Sequence, residues 1–213
     1  MKQTNKQEII EIKQKLLELY PDSTTELNYT NIYELIVAVM LSAQCTDKRV
    51  NIITPEFFKK YPNVKNLANA NIDDIKSLIN TCSFFNNKAE NLHKMANQVI
   101  DEFEGNIPLN QKDLIKLAGV GQKTANVVML EFTGANVMAV DTHVFRVAHR
   151  LGLSKEKTAI KTEYDLTKKF KSDLHKLHQA MVLFGRYHCK AINPMCETCQ
   201  LKEYCKSNAR FKV

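Results

Sequence analysis

Two stretches of this sequence carry residue types at spacings that could do chemistry. The first is Leu117-Ala118-Gly119-Val120-Gly121-Gln122-Lys123-Thr124-Ala125-Asn126, where two glycines one residue apart break a helical pattern and a lysine follows almost at once. Glycine takes positive φ readily and lets the backbone come close to a ligand. The first N–H groups of a helix starting after the glycines point outward at its positive end. Together these make an anion site, in which Lys123 could contact a phosphate or act as an amine nucleophile. A Walker A loop would need Gly-Lys-Ser/Thr with its first glycine five residues earlier, but Gln122 separates Gly121 from Lys123 and Lys116 stands near where that first glycine should be. A dinucleotide fingerprint would need a third glycine at Thr124 and a strand before the loop. What remains is helix, Gly-x-Gly turn, helix, with an ordinary helix-helix connection as the plain alternative. The second stretch is Cys189, Cys196, Cys199 and Cys205, spaced C-x6-C-x2-C-x5-C. Four thiolates can hold Zn2+ or a [4Fe-4S] cluster. Zinc modules usually show two C-x2-C knuckles, and only Cys196 and Cys199 form one here.

The elements that must position these residues read as helical nearly throughout. Asn31 is a capping residue for a helix through Ser42, and Asn71 opens another that runs to about Asn80. Asn86 or Asn87 precedes a long helix over 88–103. Asn110, with Asp113 three residues on, starts a short helix whose apolar face is Leu114, Ile115, Leu117 and Ala118, and helix resumes over 124–132. Asp141 stands where it could cap a helix over 142–151. Residues 137–140 look extended but are too few for a sheet. The fold class is all-α, without repeats or long linkers.

Three motifs in order, Gly-x-Gly-x-Lys-Thr-Ala ending on Lys123 to Ala125, Val140-Asp141-Thr142-His143 and the four-cysteine spacing, resemble endonuclease III. That family comprises bifunctional DNA glycosylases and abasic-site lyases of the helix-hairpin-helix superfamily, and the resemblance covers nearly the whole chain. It implies two helical lobes flanking a DNA-binding cleft: a six-helix lobe over 22–134 containing the hairpin, and a discontinuous lobe of 1–21 and 135–213 with a [4Fe-4S] cluster on Cys189, Cys196, Cys199 and Cys205. It implies that Lys123 attacks the sugar of an oxidised pyrimidine nucleotide flipped out of duplex DNA and that the resulting Schiff base cuts the strand by β-elimination. Only a neutral amine attacks, and at an unperturbed pKa of about 10.4 fewer than roughly one lysine in a thousand is neutral at pH 7. Desolvation and the positive end of a helix both act to lower that value. Asp141 is implied to support deprotonation and to stabilise positive charge on the sugar. A carboxylate too close would raise the lysine pKa, so no tight salt bridge between the two is expected in the resting state.

The resemblance also assigns DNA contacts. Gly119, Val120 and Gly121 would offer backbone donors to a phosphate. Gln44, in Ser42-Ala-Gln-Cys-Thr-Asp47, would fill the space left by the flipped base. Phe84, in Ser83-Phe84-Phe85-Asn86, would be an apolar wedge, although relatives commonly have glycine where Ser83 stands. Without the resemblance, Phe84 and Phe85 read as core. The loop between Cys189 and Cys196 would lie against DNA, yet Lys190 is its one basic residue where relatives often have more.

Composition agrees with a polyanion partner. The net charge is +7, and residues 150–213 hold 14 Lys+Arg against 6 Asp+Glu, so the excess lies in the C-terminal third. The longest apolar run, residues 35–41, is far short of the roughly 20 residues that span a bilayer. The first twenty residues are charged and periodic in Ile9, Ile12, Leu16 and Leu19, unlike a secretory signal. A cytoplasmic, nucleoid-associated monomer is expected. Six cysteines in such a chain favour metal or catalysis over disulfides, and Cys45 and Cys82 read as isolated, buried small hydrophobes in helical surroundings. Two rivals are a glycosylase without the lyase step and a non-catalytic DNA-binding protein with a structural metal. The former relatives generally lack lysine at the place of Lys123, and the adenine-specific ones extend beyond the cluster, whereas Val213 closes this sequence.

Overall fold

A computed structural model describes residues 4–207, so the outermost residues of the expected discontinuous lobe, 1–3 and 208–213, lie outside the described residues. In chain order the helices are α1 (Lys6–Leu19), α2 (Ile32–Ser42), α3 (Asp47–Lys60), α4 (Val64–Ala68), α5 (Ile72–Ile79), α6 (Phe85–Phe103), α7 (Gln111–Leu114), α8 (Gln122–Thr133), α9 (Thr142–Arg150), α10 (Ala159–Phe170) and α11 (Leu174–Leu183). A π-helical turn, Phe184–His188, follows α11, and Lys202–Tyr204 forms a 3-10 turn. There is no strand among the described residues, and 137–140 is extended without a partner strand. The chain divides into two compact units, Glu26–Thr133 and a second that joins the chain up to Thr25 with the chain from Gly134 onward.

The unit Glu26–Thr133 is built around α2. Leu35 to Leu41 are all buried, so this helix is apolar on every side, which is the pattern of a helix enclosed by others. It packs against α3, α6 and α8. Local chemistry starts the surrounding helices: Asn31, Thr46, Asn63, Asn71 and Asn110 each accept a backbone N–H of the first turn through the side chain. At the other end of α2, the buried Lys88 Nζ donates to the Leu41 carbonyl at 2.7 Å, placing a cation on the negative end of the helix. Burial holds the Lys88 pKa below its usual value.

Two boundaries differ from the sequence reading. Helix α6 begins at Phe85, not at Lys88, because Phe84 takes a left-handed conformation (φ 58°) and its carbonyl accepts from Lys88 N, so Asn86 and Asn87 fall inside the first turn rather than capping it. Helix α7 ends at Leu114, after which Ile115 is exposed and the chain passes through turns. Its apolar anchors reduce to Leu114 and Leu117, both buried.

In the second unit, α1 lays Ile12 and Leu16 into a core with Val144, Val147, Leu166, Leu177 and Met181, and packs on α10 and α11. Asn5 and Glu8 form a capping box at its start. Ion pairs from α1 to distant chain hold the closure at its edge: Lys13 with Asp173 at 2.7 Å, Lys15 with Glu203 at 2.8 Å and Glu8 with Lys206 at 2.7 Å. Such surface pairs contribute about 0–1 kcal/mol each, so the buried apolar face is the main source of stability. Gly185 lets α9 and the π-helical turn meet closely, since a Cβ there would lie 2.9 Å from His143 Cβ.

Candidate nucleic-acid site and cysteine-lined hollow

The turn between α7 and α8 is held from several sides. Gln98 on α6 accepts from Ala118 N at 2.7 Å and donates to the Lys116 carbonyl at 3.2 Å. Gln111 donates its side-chain amide to Asn126, which is 1% exposed, tying α7 to α8. The two glycines do different work. Gly119 has φ +76°, and a Cβ there would lie 2.9 Å from both Asn91 Cβ and Met40 Cε. Gly121 has no left-handed φ and nothing within 4 Å of a built Cβ, so the second glycine leaves the surface open instead of relieving the backbone. Val120 between them is buried, which leaves only its backbone to face a ligand. The Gly121 carbonyl accepts from Ala125 N at 2.9 Å, so α8 begins at once, and Lys123 stands exposed in its first turn, at the positive end.

Asp141 caps α9, with Oδ1 accepting from Val144 N at 2.8 Å. The carboxylate is thereby fixed in place, and among the described residues it makes no ion pair. Both sequence readings of Asp141 are compatible with this geometry, since a carboxylate has acceptor sites to spare.

The four C-terminal cysteines come together. Cys189, Cys196, Cys199 and Cys205 line one hollow, closed on its protein side by Leu151, Phe184 and Leu201. Burial pushes the Cys199 and Cys205 thiols above their usual pKa. Sequence reasoning missed Arg150 at the end of α9. It is 5% exposed, and its Nη1 donates to Cys189 Sγ at 3.2 Å and to the Lys190 carbonyl at 2.7 Å, while Nη2 reaches the Ala191 carbonyl at 3.3 Å. Arg146, one turn earlier, donates to the Cys189 carbonyl at 3.0 Å. The available signal was two arginines four residues apart on a helix whose other face is apolar. Lys190 itself is exposed, as is Ile192 beyond it.

Gln44 and Phe84 occupy two turns of the unit Glu26–Thr133. Gln44 is exposed between α2 and α3 with φ 54°, and Phe84, before α6, is 62% exposed with φ 58°. The core reading of Phe84 is therefore excluded, while Phe85 is half-buried. Cys45 and Cys82 are not isolated: their sulfurs are 3.6 Å apart, they lie in these turns and not in helices, and only Cys82 is fully buried. Packing of the two turns, 37 residues apart in the chain, corrects the sequence reading.

Fold and turn geometry define a class. Residues 37–172 match the HhH-GPD superfamily of base excision DNA repair proteins. The chain is 38% identical to endonuclease III of Bacillus subtilis over 198 residues, covering 92% of this chain and 90% of that protein. It is 41% identical to endonuclease III of Haemophilus influenzae over 206 residues, covering 95% and 96%. A solved structure of a trapped endonuclease III-DNA covalent intermediate superposes with a TM-score of 0.93 at 38% identity, covering 96% of this chain and 97% of that one. The chain belongs to the endonuclease III family.

Proposed function

We propose that this chain is a base-excision repair enzyme that removes oxidised pyrimidines from duplex DNA and cleaves the resulting abasic site by β-elimination. The observation that carries the reading is Lys123, exposed in the first turn of α8 directly after a Gly-x-Gly turn whose second glycine leaves the surface open. The backbone of Gly119, Val120 and Gly121 grips a phosphate, and the damaged nucleotide leaves the stack at a cost of a few kcal/mol. Gln44 fills the vacated space, and Phe84 replaces the lost stacking. The neutral Lys123 amine attacks the anomeric carbon; the glycosidic bond breaks and the base departs with its electron pair. Ring opening leaves a Schiff base between Lys123 and the sugar, and loss of a proton from C2′ expels the 3′ phosphate. Asp141, fixed by its own cap, supports deprotonation of the amine and stabilises the cationic sugar in the transition state.

The four thiols fit a [4Fe-4S] cluster better than a single zinc. Zinc modules usually show two C-x2-C knuckles, whereas here only Cys196 and Cys199 form one, and all four cysteines line a single hollow that could take a cubane. Arg150, donating to Cys189 Sγ, suits the negative charge of such a site. When bound, the cluster supplies a covalent brace for 189–205; Arg150 and Arg146 hold the loop that presents Lys190 to the DNA backbone. We further assign lobes of 22–134 and of 1–21 with 135–213, a monomer, and a cytoplasmic, nucleoid-associated location following from the DNA substrate.

The decisive experiment is borohydride trapping on duplex DNA carrying an oxidised pyrimidine. Wild type forms a covalent protein-DNA adduct, and Lys123→Gln loses both adduct and strand cleavage while still binding, because the turn's backbone donors survive. An adduct from Lys123→Gln at the normal rate removes the nucleophile assignment. Base release by wild type without an adduct makes the chain a glycosylase without lyase chemistry, and binding without base release or strand cleavage makes it a non-catalytic binder.

A further inference from the structure

Two cysteines outside the C-terminal hollow remain unused by this chemistry. Cys45 Sγ and Cys82 Sγ are 3.6 Å apart. Each closes a turn after a helix: Cys45 N donates to the Ser42 carbonyl behind α2, and Cys82 N donates to the Ile79 carbonyl behind α5. Each also stands beside a residue assigned to probing DNA. Gln44 immediately precedes Cys45, and Phe84 follows Cys82 by two residues. Both probes have left-handed backbone, at φ 54° and φ 58°, a conformation that side-chain-bearing residues adopt at a cost and only when the surroundings impose it. The turns that aim Gln44 and Phe84 thus meet at a pair of thiols.

We propose that Cys45 and Cys82 form an oxidisable dithiol whose disulfide locks the two turns together and lowers excision of a paired damaged base. Half-buried Cys45 is the sulfur a peroxide can reach, while Cys82 is fully buried. Burial pushes the Cys82 thiol up to about 11, so it keeps its proton at neutral pH, while Lys88 and Arg49 nearby favour a thiolate when the proton leaves. In the first step Cys45 gives up its proton and its thiolate attacks one peroxide oxygen; the O–O bond breaks and the leaving hydroxide takes that proton as water, giving a sulfenic acid. In the second, the Cys82 sulfur attacks the Cys45 sulfur, the S–O bond breaks, and water leaves with the Cys82 proton. Two thiols and one peroxide give one disulfide and two waters. A disulfide of about 2.05 Å in place of the 3.6 Å contact ties together the two turns that carry Gln44 and Phe84 and limits how far either can move. Peroxide is also the class of oxidant that damages pyrimidines, so the switch would answer the condition that creates the substrate.

This inference rests on the roles proposed for Gln44 and Phe84, and its test separates the two. The cluster-loaded protein is treated with hydrogen peroxide in small molar excess while its visible absorbance is followed; free thiols are then alkylated, and the digested protein is mapped by mass. The expected result is a Cys45–Cys82 linked peptide, lighter than the two thiol peptides by two hydrogens and split by dithiothreitol. Single-turnover excision of a paired oxidised pyrimidine should fall about tenfold or more, since a 1 Å misplacement can cost about 10²-fold. Cleavage of a preformed abasic site should fall less, and dithiothreitol should restore both. Cys45→Ser should keep the reduced activity and lose the response. Alkylation of both cysteines after peroxide overturns the dithiol, and a linked peptide with unchanged excision overturns the control. Undiminished peroxide inhibition of Cys45→Ser places the sensitivity elsewhere. A linked peptide in a protein with no base release even when reduced leaves the dithiol standing and removes the glycosylase reading instead.

Discussion

At the scale of single residues, Asp141 caps α9 and is also the carboxylate proposed to act on the sugar. Asparagine caps a helix about as well as aspartate, so Asp141→Asn should leave the melting temperature almost unchanged. Base release should nevertheless slow by several orders of magnitude if, as proposed, the charge of Asp141 stabilises the transition state. Asp141→Ala should lose the activity and, in addition, about 1 kcal/mol of stability from the missing cap to Val144 N. Thermal melts beside single-turnover excision read both effects; normal excision by Asp141→Asn would reduce Asp141 to a cap. Phe84 separates activity from stability more sharply. Its ring is mostly exposed, so Phe84→Ala should change stability by no more than about 0.5 kcal/mol. Processing of a paired damaged base should fall more than that of an abasic site, which has less stacking to replace. Equal losses with a clear drop in melting temperature would remove the wedge role. Nothing in Phe84-Phe85 as letters says which ring faces out; the left-handed backbone at 84 decides it, and that follows from packing.

At the scale of elements, the two glycines between α7 and α8 make opposite predictions. Gly119→Ala forces a side chain into left-handed backbone and brings its Cβ to 2.9 Å from Asn91 and Met40. It should cost about 1–3 kcal/mol, visible in a denaturant midpoint. Gly121→Ala meets nothing within 4 Å and should cost at most about 1 kcal/mol. Its new methyl group stands on the open surface, so the loss should fall on DNA affinity in a binding titration. A stability loss from Gly121→Ala as large as that from Gly119→Ala would show that the turn is shaped differently. The glycine pair was legible as a turn. Which glycine relieves the backbone and which leaves the surface open was not, because Met40 and Asn91 come from other helices. Capped helix starts at Asn31, Asn71 and Asn110 were readable because caps act within one turn, whereas α6 begins without a side-chain cap and was placed three residues late.

At the scale of the whole molecule, the prediction concerns metal content. Protein purified without oxygen should be yellow-brown and contain about four iron and four acid-labile sulfides per chain, measured by elemental and sulfide analysis. Stoichiometric zinc without sulfide would overturn the assignment to Cys189, Cys196, Cys199 and Cys205. The sequence by itself determined the helical class, the capped helix starts at Asn31, Asn71, Asn110 and Asp141, the Gly-x-Gly turn before Lys123 and the four-cysteine set. These are short-range patterns, in which residues a few positions apart act on one another whatever the rest of the chain does. Only the tertiary structure decided that Cys45 meets Cys82 across 37 positions, that Arg150 reaches Cys189 Sγ across 39 positions, and that Phe84 faces solvent. Such contacts are products of helix packing, which sums many weak apolar interactions over distant segments and leaves no local spacing to read.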